Sequence, residues 1–262
     1  MTINQNENQL FKEWQSFLQV SENEFVADGL LFHDGLKFDG YNWVRTKSGN
    51  NFENWQLSPR RLLIITRDQP CDDGDIWDVR RDTPIKKDGY HLKKDKMYKC
   101  LIPWTYAALL FDNEVNGICP NDEISRIGFW LTAPLARINC GKVAGKRDKD
   151  GGCPREKVVS YLEESKDFIT RQIMLYNANI IMACTGYDTL TNPVIEYINK
   201  NYLPDLEQIN DYIFASKSTN KIVINSYHHA NRKFRSDIAI QQETLNIRDA
   251  ILDAREKGYT IG

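Results

Sequence analysis

The chain has 262 residues, of which 41% are hydrophobic, and its formal net charge is −2. This charge does not indicate a general attraction to nucleic acid, although it leaves room for local basic patches. The length suffices for one large α/β core, and no linker or low-complexity stretch divides it, so we expect a single domain over residues 1–262.

Several classes of protein are not expected from simple features of the sequence. Residues 1–7 have neither the basic nor the apolar region of a secretory signal, and no apolar stretch is long enough to span a bilayer. The six cysteines form no C-x-x-C pair, so free thiols are a better interpretation than a zinc or iron–sulfur site. We expect a cytoplasmic monomer without disulfides, metal, cofactor or membrane contact.

The predicted elements alternate between helices and strands along the chain. The spacing of Leu10, Trp14 and Leu18 predicts an amphipathic helix near the start, and residues 72–98 form a long polar stretch without clear periodicity. Four apolar runs have the character of strands: residues 61–66, 135–139, 179–184 and 221–226. Further helices are predicted at residues 104–111, 122–131, 154–176, 189–199 and around 245–252. This order favours an α/β protein of three αβα layers with a central, mostly parallel four-stranded sheet.

Three of the predicted strands run directly into residues that can do chemistry. Asp68 follows the first strand, Asn139 ends the second, and His228 follows the fourth. Each has an ordinary structural interpretation: a turn or cap for Asp68, a backbone cap for Asn139 and a satisfied core histidine for His228. Because active sites of open α/β sheets form at the carboxyl ends of the strands, we favour a shared site with these three as catalytic residues.

Basic residues recur after three of the predicted strand ends. They are Lys86, Lys87, Lys93, Lys94, Lys96 and Lys99, then Lys142, Lys146, Arg147 and Lys149, and finally Arg232, Lys233 and Arg235. Solvated loops would account for such runs. Their coincidence with strand ends favours a surface that contacts phosphates.

The ordered motifs resemble those of the uracil-DNA glycosylase superfamily over residues 61–235. Residues 67–70, Arg-Asp-Gln-Pro, match a Gly-x-x-Pro-like motif that carries an acidic residue. Asn139 and Lys142 match a strand that ends in Asn, often with Lys three residues on. Residues 228–230, His-His-Ala, match a His-Pro-Ser or His-Pro-Ala motif.

The chain also departs from the family's pattern. Arg67 replaces the usual Gly and His229 replaces the usual Pro. Gln69 stands where the most studied uracil enzymes carry the acid, whereas other branches place it one residue earlier, as Asp68 is placed here.

The resemblance implies a monofunctional DNA glycosylase, a hydrolase that flips a base out of the duplex and leaves an abasic site. Asp68 would orient the water and stabilise the cationic sugar, since the reaction passes through an oxocarbenium-like state. His228 would donate to an oxygen of the departing base, and Asn139 would read a pyrimidine edge.

A small residue follows Pro70, and this bears on the substrate. In the strict uracil enzymes a Tyr at that place crowds pyrimidine C5, whereas here Cys71 leaves room for a bulky substituent. The chain is therefore similar to antiphage glycosylases that remove glucosylated hydroxymethylcytosine from phage DNA, with uracil repair as the alternative. The predicted substrate-binding residues are Gln69, Pro70, Cys71, Trp77, Arg80 and Lys142.

The segment after His228 is predicted to enter DNA. Phe234 would act as an apolar wedge in the base stack, with packing under the last helix as its rival interpretation. The predicted DNA-binding residues are Arg147, His229, Asn231, Arg232, Lys233, Phe234 and Arg235. Stacking on the flipped base is predicted for one of Trp77, Tyr90, Tyr98 and Trp104, although Trp104 begins an apolar helix and fits a core better.

Two other functions stay open at this point. One is a non-catalytic module of the same fold that binds nucleic acid or a nucleotide. The other is an unrelated doubly wound hydrolase of small nucleosides, which would not need basic residues such as Arg232 and Arg235 beside its site.

Overall fold

The structure is a computed structural model that describes most of the chain. It describes residues 2–31, 36–38, 43–45, 51–68, 78–81, 85–86, 89–90, 95–113, 117–143, 153–186 and 192–261. The α-helices of these residues are α1 (Ile3–Leu18), α2 (Asn51–Leu57), α3 (Lys96–Leu110), α4 (Glu123–Thr132), α5 (Arg155–Glu164), α6 (Lys166–Tyr176), α7 (Pro193–Asn201) and α8 (Asp237–Glu256).

The strands of the described residues are mostly short. They are β1 (Gly29–Leu30), β2 (Leu36–Phe38), β3 (Trp43–Arg45), β4 (Leu62–Thr66), β5 (Ile85–Lys86), β6 (Gly89–Tyr90), β7 (Leu135–Asn139), β8 (Ile180–Gly186), β9 (Glu207–Gln208), β10 (Ile213–Ser216) and β11 (Lys221–Tyr227). The pairs β2–β3 and β5–β6 form two separate antiparallel ribbons. Among the described residues, no helix has the length and apolar character needed to cross a membrane.

Seven strands form one mixed sheet in the order β1-β7-β4-β8-β11-β10-β9. The four predicted strands are its parallel centre, because β4 pairs in parallel with β7 and β8, and β8 pairs in parallel with β11. The other three strands extend the sheet sideways in antiparallel pairs: β1 lies beside β7 on one side, and β10 and then β9 follow β11 on the other. The α/β class is confirmed, but the predicted four-stranded sheet is wrong, since short edge strands leave little periodicity in a sequence.

Side chains alternate between the two faces of the sheet, and each face carries its own core. Leu62 and Ile64 of β4 join a cluster with apolar residues of α3, α4 and α8. Leu63 and Ile65 join a second cluster with residues of α1, α5, α6 and α7. Helices thus cover both faces, as buried parallel strands require.

The helix predicted over residues 154–176 is two helices. Helix α5 ends and α6 begins at Ser165, whose backbone (φ −108°, ψ 24°) lies outside the helical region. The hydroxyl of Ser165 accepts a hydrogen bond from Trp14 Nε1 at 3.0 Å inside the core. Ser165, at the break between the helices, thus gives the buried indole N–H of Trp14 its hydrogen-bond acceptor. The helical spacing of apolar residues in the sequence does not reveal this contact.

Candidate active site

The three predicted catalytic residues lie at the same edge of the sheet. In the pairing of β4 with β7, Thr66 is opposite Asn139, and Asp68 follows Thr66 by two positions. In the pairing of β8 with β11, Gly186 is opposite Tyr227, which directly precedes His228. Because the four strands are parallel neighbours, their carboxyl ends place an acid, an amide and an imidazole at the same edge of the sheet.

Arg67 connects the two halves of this edge. Its guanidinium donates to the carbonyl of Gly186 at 3.1 Å and to that of Cys153 at 3.3 Å. The carbonyl of Gly186 also accepts from the backbone N–H of His228 at 3.2 Å. The carbonyl of Gly186 thus links the segment of Asp68 to the segment of His228.

Asp68 is held close to a cation but is not fully enclosed. Its side chain is 12% exposed, and Lys157 Nζ of α5 lies 3.6 Å from its carboxylate. The thiol of Cys153 is a neighbour of this carboxylate. Burial first, and then the charge of Asp68, raise the pKa of Cys153 to about 12. A partly exposed carboxylate of this kind can accept hydrogen bonds from a water molecule.

Asn139 is buried and fixed from two sides. It is 1% exposed, its backbone N–H donates to Asp28 Oδ2 at 2.7 Å, and its Oδ1 accepts from the hydroxyl of Thr66. Its Nδ2 has no hydrogen-bond partner among the described residues. A buried donor without a partner costs about 1–3 kcal/mol, so an acceptor on a ligand would recover that free energy.

His228 and His229 form a tilted pair with ring centroids 4.1 Å apart. Burial first, and then His229 beside it, lower the pKa of His228 well below its usual value. His228 Nδ1 accepts from the backbone N–H of Ala230 at 3.3 Å. The proton of the neutral ring is therefore on Nε2, where it can be donated to a ligand.

Two predicted substrate contacts have structural roles instead. Lys142 is buried in an ion pair with Asp28 and lies 4.9 Å above the ring of Trp14. Arg80 pairs with Asp78 at 2.8 Å and with Glu7 at 3.1 Å. Their assignment to the substrate is corrected, because buried cations need carboxylate partners and these cations have them within the protein.

The segment after His228 is ordered by contacts with α3. Lys96 Nζ donates to the carbonyls of Ala230 and Asn231 at 3.0 and 2.7 Å. Asn231 Oδ1 in turn accepts from the backbone N–H of Lys233 at 2.9 Å, which starts a short 3₁₀ helix. Three basic side chains of this segment are exposed: Arg232, Lys233 and Arg235.

The predicted DNA wedge is wrong, because Phe234 belongs to the core. It is 1% exposed, and its ring centroid lies 4.9 Å from that of Trp104 and 5.9 Å from that of Tyr227. The rival interpretation, packing beneath the last helix, is the correct one. Tyr98 and Trp104 are likewise buried in the core rather than placed to stack on a flipped base.

We therefore expect Phe234→Ala to destabilise the protein by about 3–5 kcal/mol, the usual cost of removing a buried phenyl ring. Urea unfolding of the two proteins measures the difference. Met174→Ala, which truncates an apolar side chain that is 58% exposed, is the matched control and should change stability little. A Phe234→Ala variant as stable as this control would mean that the ring is not packed.

Several predicted site residues lie outside the described residues. They are Gln69, Pro70, Cys71, Trp77 and Arg147. The sequence prediction also missed two residues that the structure brings to the site. Asp28 holds the backbone of Asn139, and Arg137 is a charged residue within a buried strand. Only Arg137 had a visible signal, since a lone charge in an apolar run is unusual.

A large cavity lies elsewhere, between α3, α4 and α8. It has a volume of about 620 Å³, and its lining includes Pro103, Ile240 and an ion pair of Lys99 with Asp237 at 2.6 Å. Its size suits a small ligand, but none of the candidate catalytic residues lines it. We place the candidate site at the sheet edge, because Asp68, Asn139 and His228 follow neighbouring parallel strands there.

Comparisons with known proteins do not place the chain in a family. No protein-family model, curated protein or solved structure matches the chain. The glycosylase resemblance therefore depends on the motifs and on where the fold places them. Among the described residues, no group of three or more His, Cys, Asp or Glu side chains could hold a metal ion.

Proposed function

We propose that the chain is a DNA glycosylase that hydrolyses the N-glycosidic bond of a flipped-out modified pyrimidine. The substrate that we favour is a hypermodified cytosine of phage DNA, and its removal would serve antiviral defence. Uracil is the second candidate substrate. The observation that carries the proposal is the placement of Asp68, Asn139 and a neutral His228 at the carboxyl ends of neighbouring parallel strands.

The reaction needs a group that holds water and stabilises a cationic sugar. Asp68 suits this role, because it is a partly exposed carboxylate just beyond β4, with the Lys157 ammonium 3.6 Å away. The water oxygen bonds to C1′ of the sugar as the C1′–N bond breaks, and the bonding electron pair leaves with the base. The proton released by the water passes to Asp68.

The departing base then carries negative charge, which needs a donor. His228 offers an Nε2 proton from a neutral ring, since its Nδ1 is occupied by the N–H of Ala230. Asn139 Nδ2 offers a second donor that no described residue uses. The two groups suit the acceptors of a pyrimidine edge, which are O2 and N3 in cytosine and O2 and O4 in uracil.

DNA would be held by the exposed cations Arg232, Lys233 and Arg235. Because Phe234 is buried, a different side chain would have to enter the base stack. Ile238 is 81% exposed in the first turn of α8, three residues beyond Arg235. An apolar side chain so exposed beside a basic segment suits insertion into a base stack.

We expect Ile238→Ala to weaken excision from duplex DNA more than from single strands, because only a duplex leaves a gap when the base is flipped. Thermal stability should change little, since the side chain is 81% exposed. Rates on matched duplex and single-stranded substrates test this, with Met174→Ala as the control for an exposed apolar residue. Equal losses on both substrates would remove Ile238 from this role.

An abasic-site assay tests the proposed function. The protein is incubated with duplexes that contain glucosylated hydroxymethylcytosine, uracil or unmodified cytosine, and alkali then cleaves each abasic site. We expect cleavage at the glucosylated base. Cleavage at uracil alone would make the runner-up correct, and binding without cleavage of any duplex would favour the non-catalytic module.

A further inference from the structure

A buried threonine lies beside Asn139 at the carboxyl edge of the sheet. Thr66 is the last residue of β4, is 1% exposed, and is paired in register with Asn139, the last residue of β7. Its hydroxyl contacts the side-chain amide of Asn139. Because both side chains are buried, each polar atom of the pair needs a partner within the protein or on a ligand.

The hydroxyl of Thr66 has two acceptors within reach but only one proton to donate. Its Oγ1 lies 2.5 Å from Asn139 Oδ1 and 3.2 Å from the backbone carbonyl oxygen of Ile138. Hydroxyl donors usually lie about 2.5–3.0 Å from their acceptors, so the proton is donated to Asn139. The carbonyl oxygen of the amide is therefore turned towards β4.

The opposite direction of the amide fits these distances less well. With Nδ2 in the place of Oδ1, an N–H donor would lie 2.5 Å from the oxygen of Thr66. Such donors usually lie about 2.7–3.2 Å from their acceptors. The proton of Thr66 would then have to reach the carbonyl of Ile138 at 3.2 Å, beyond the usual range of a hydroxyl. The geometry thus favours one of the two directions.

The other end of the amide, Nδ2, is left unused. It is buried and makes no hydrogen bond with any described residue. The backbone of Asn139 is held separately, because its N–H donates to Asp28 Oδ2 at 2.7 Å and Gln172 Nε2 holds Asp28 Oδ1 at 3.0 Å. With backbone and side chain both fixed, the group left for a ligand is an N–H donor, which requires an acceptor atom on that ligand.

We propose that Thr66 is a positioning residue that sets the direction of the Asn139 amide and so selects a base by the polarity of its edge. The inference rests on the proposed function, which makes a pyrimidine the ligand of Asn139. Uracil has a donor at N3 and an acceptor at O4, whereas cytosine has an acceptor at N3 and a donor at N4. An amide held in one direction matches one of these patterns, and only a half-turn would match it to the other.

Thr66 opposes this half-turn. Turning the amide would place Nδ2 against the hydroxyl of Thr66 and leave the hydroxyl proton only the 3.2 Å contact with Ile138. Since a buried hydrogen bond is costly to lose, the mismatched base should bind at least about tenfold more weakly than the matched one. The acceptor that meets Nδ2 is either N3 of cytosine or O4 of uracil.

Calorimetric titration of the full chain with free cytosine and free uracil tests the proposal. We expect wild type to bind one base at least about tenfold more tightly than the other. Thr66→Val keeps the shape of the side chain but removes the hydroxyl, so the amide can turn and the preference should largely disappear. Thr66→Ser keeps the hydroxyl and should keep the preference. Thr105→Val is the control, because it removes a buried hydroxyl that bonds to a carbonyl of its own helix at 2.8 Å, and it should also keep the preference.

The outcomes separate the two sources of the acceptor. A preference for cytosine assigns the acceptor to N3, and a preference for uracil assigns it to O4. Equal binding of the two bases by wild type, or binding of neither, would overturn the proposal. A preference that survives in Thr66→Val, even with both bases bound more weakly, would also overturn it, since Thr66 would then be merely structural.

The titration does not depend on base release, so the two proposals fail separately. A preference that needs Thr66, in a protein that releases no base, would contradict the proposed function and leave this inference standing. Base release together with an unchanged preference in Thr66→Val would do the reverse.

An NMR measurement on wild type needs no variant to fold. In the free protein, the Nδ2 protons of Asn139 should show no strong NOE to the β proton or the methyl group of Thr66, because the carbonyl oxygen is the atom that faces that residue. A strong NOE between these groups would mean that the amide is turned the other way, and it would overturn the proposal.

Discussion

Replacing Asp68 by Asn is expected to slow base release by about 10²–10³-fold, because the reaction loses a preorganised group that stabilises developing charge. His228→Ala is expected to have an effect of similar size, through loss of the Nε2 donor to the departing base. Binding to DNA should be retained in both variants, since the exposed cations after His228 are untouched. Single-turnover rates on a modified duplex, with binding measured in parallel, give both quantities.

A matched control is available for the carboxylate. Asp211→Asn removes an exposed carboxylate that lies just after β9, away from the candidate site. This substitution should leave the rate of base release unchanged. If Asp68→Asn and His228→Ala both release the base at nearly the wild-type rate, the roles assigned to these residues are wrong.

Asp28→Ala is expected to cost about 3–5 kcal/mol of stability, because it leaves the Lys142 ammonium buried without its partner. Burial already lowers the pKa of Lys142, and the carboxylate of Asp28 is what opposes that shift. Asp28 also accepts hydrogen bonds from the backbone of Asn139 at 2.7 Å and from Gln172 Nε2 at 3.0 Å. Urea unfolding should therefore show a much lower midpoint.

The double variant Asp28→Ala/Lys142→Met separates the ion pair from general packing. Removal of both charges should restore part of the lost stability, since an apolar side chain carries no desolvation cost. A loss below about 1 kcal/mol in Asp28→Ala, within the range of ordinary surface pairs, would show that this ion pair is not structurally important.

The parallel centre of the sheet could be predicted because buried strands are apolar runs that end in polar residues. The predicted strand at residues 135–139 coincides with β7, and that at 221–226 ends one residue before β11 does. The edge strands could not be predicted in this way. Strands β1 and β9 have two residues each, and backbone hydrogen bonds to neighbouring strands define them rather than any side-chain pattern.

The sequence was enough to predict at which end of the sheet the candidate site residues lie, but not which of the neighbouring residues have structural roles instead. Asp68, Asn139 and His228 reach one edge because parallel strands all point the same way. Lys142 was misassigned because its partner Asp28 is 114 positions away, and no local spacing reveals such a contact. Phe234 was misassigned for a related reason, since its charged neighbours in sequence are exposed while its own ring turns inward.

The central claim is that this edge of the sheet releases a base from DNA, and mass spectrometry of the reaction tests it most directly. Duplex containing glucosylated hydroxymethylcytosine is incubated with wild type or Asp68→Asn, and both the free base and the abasic strand are quantified. We expect wild type to yield the two products in equal amounts and Asp68→Asn to yield very little of either. No free base from this duplex or from uracil-containing DNA, under conditions where the protein binds both, would contradict the claim.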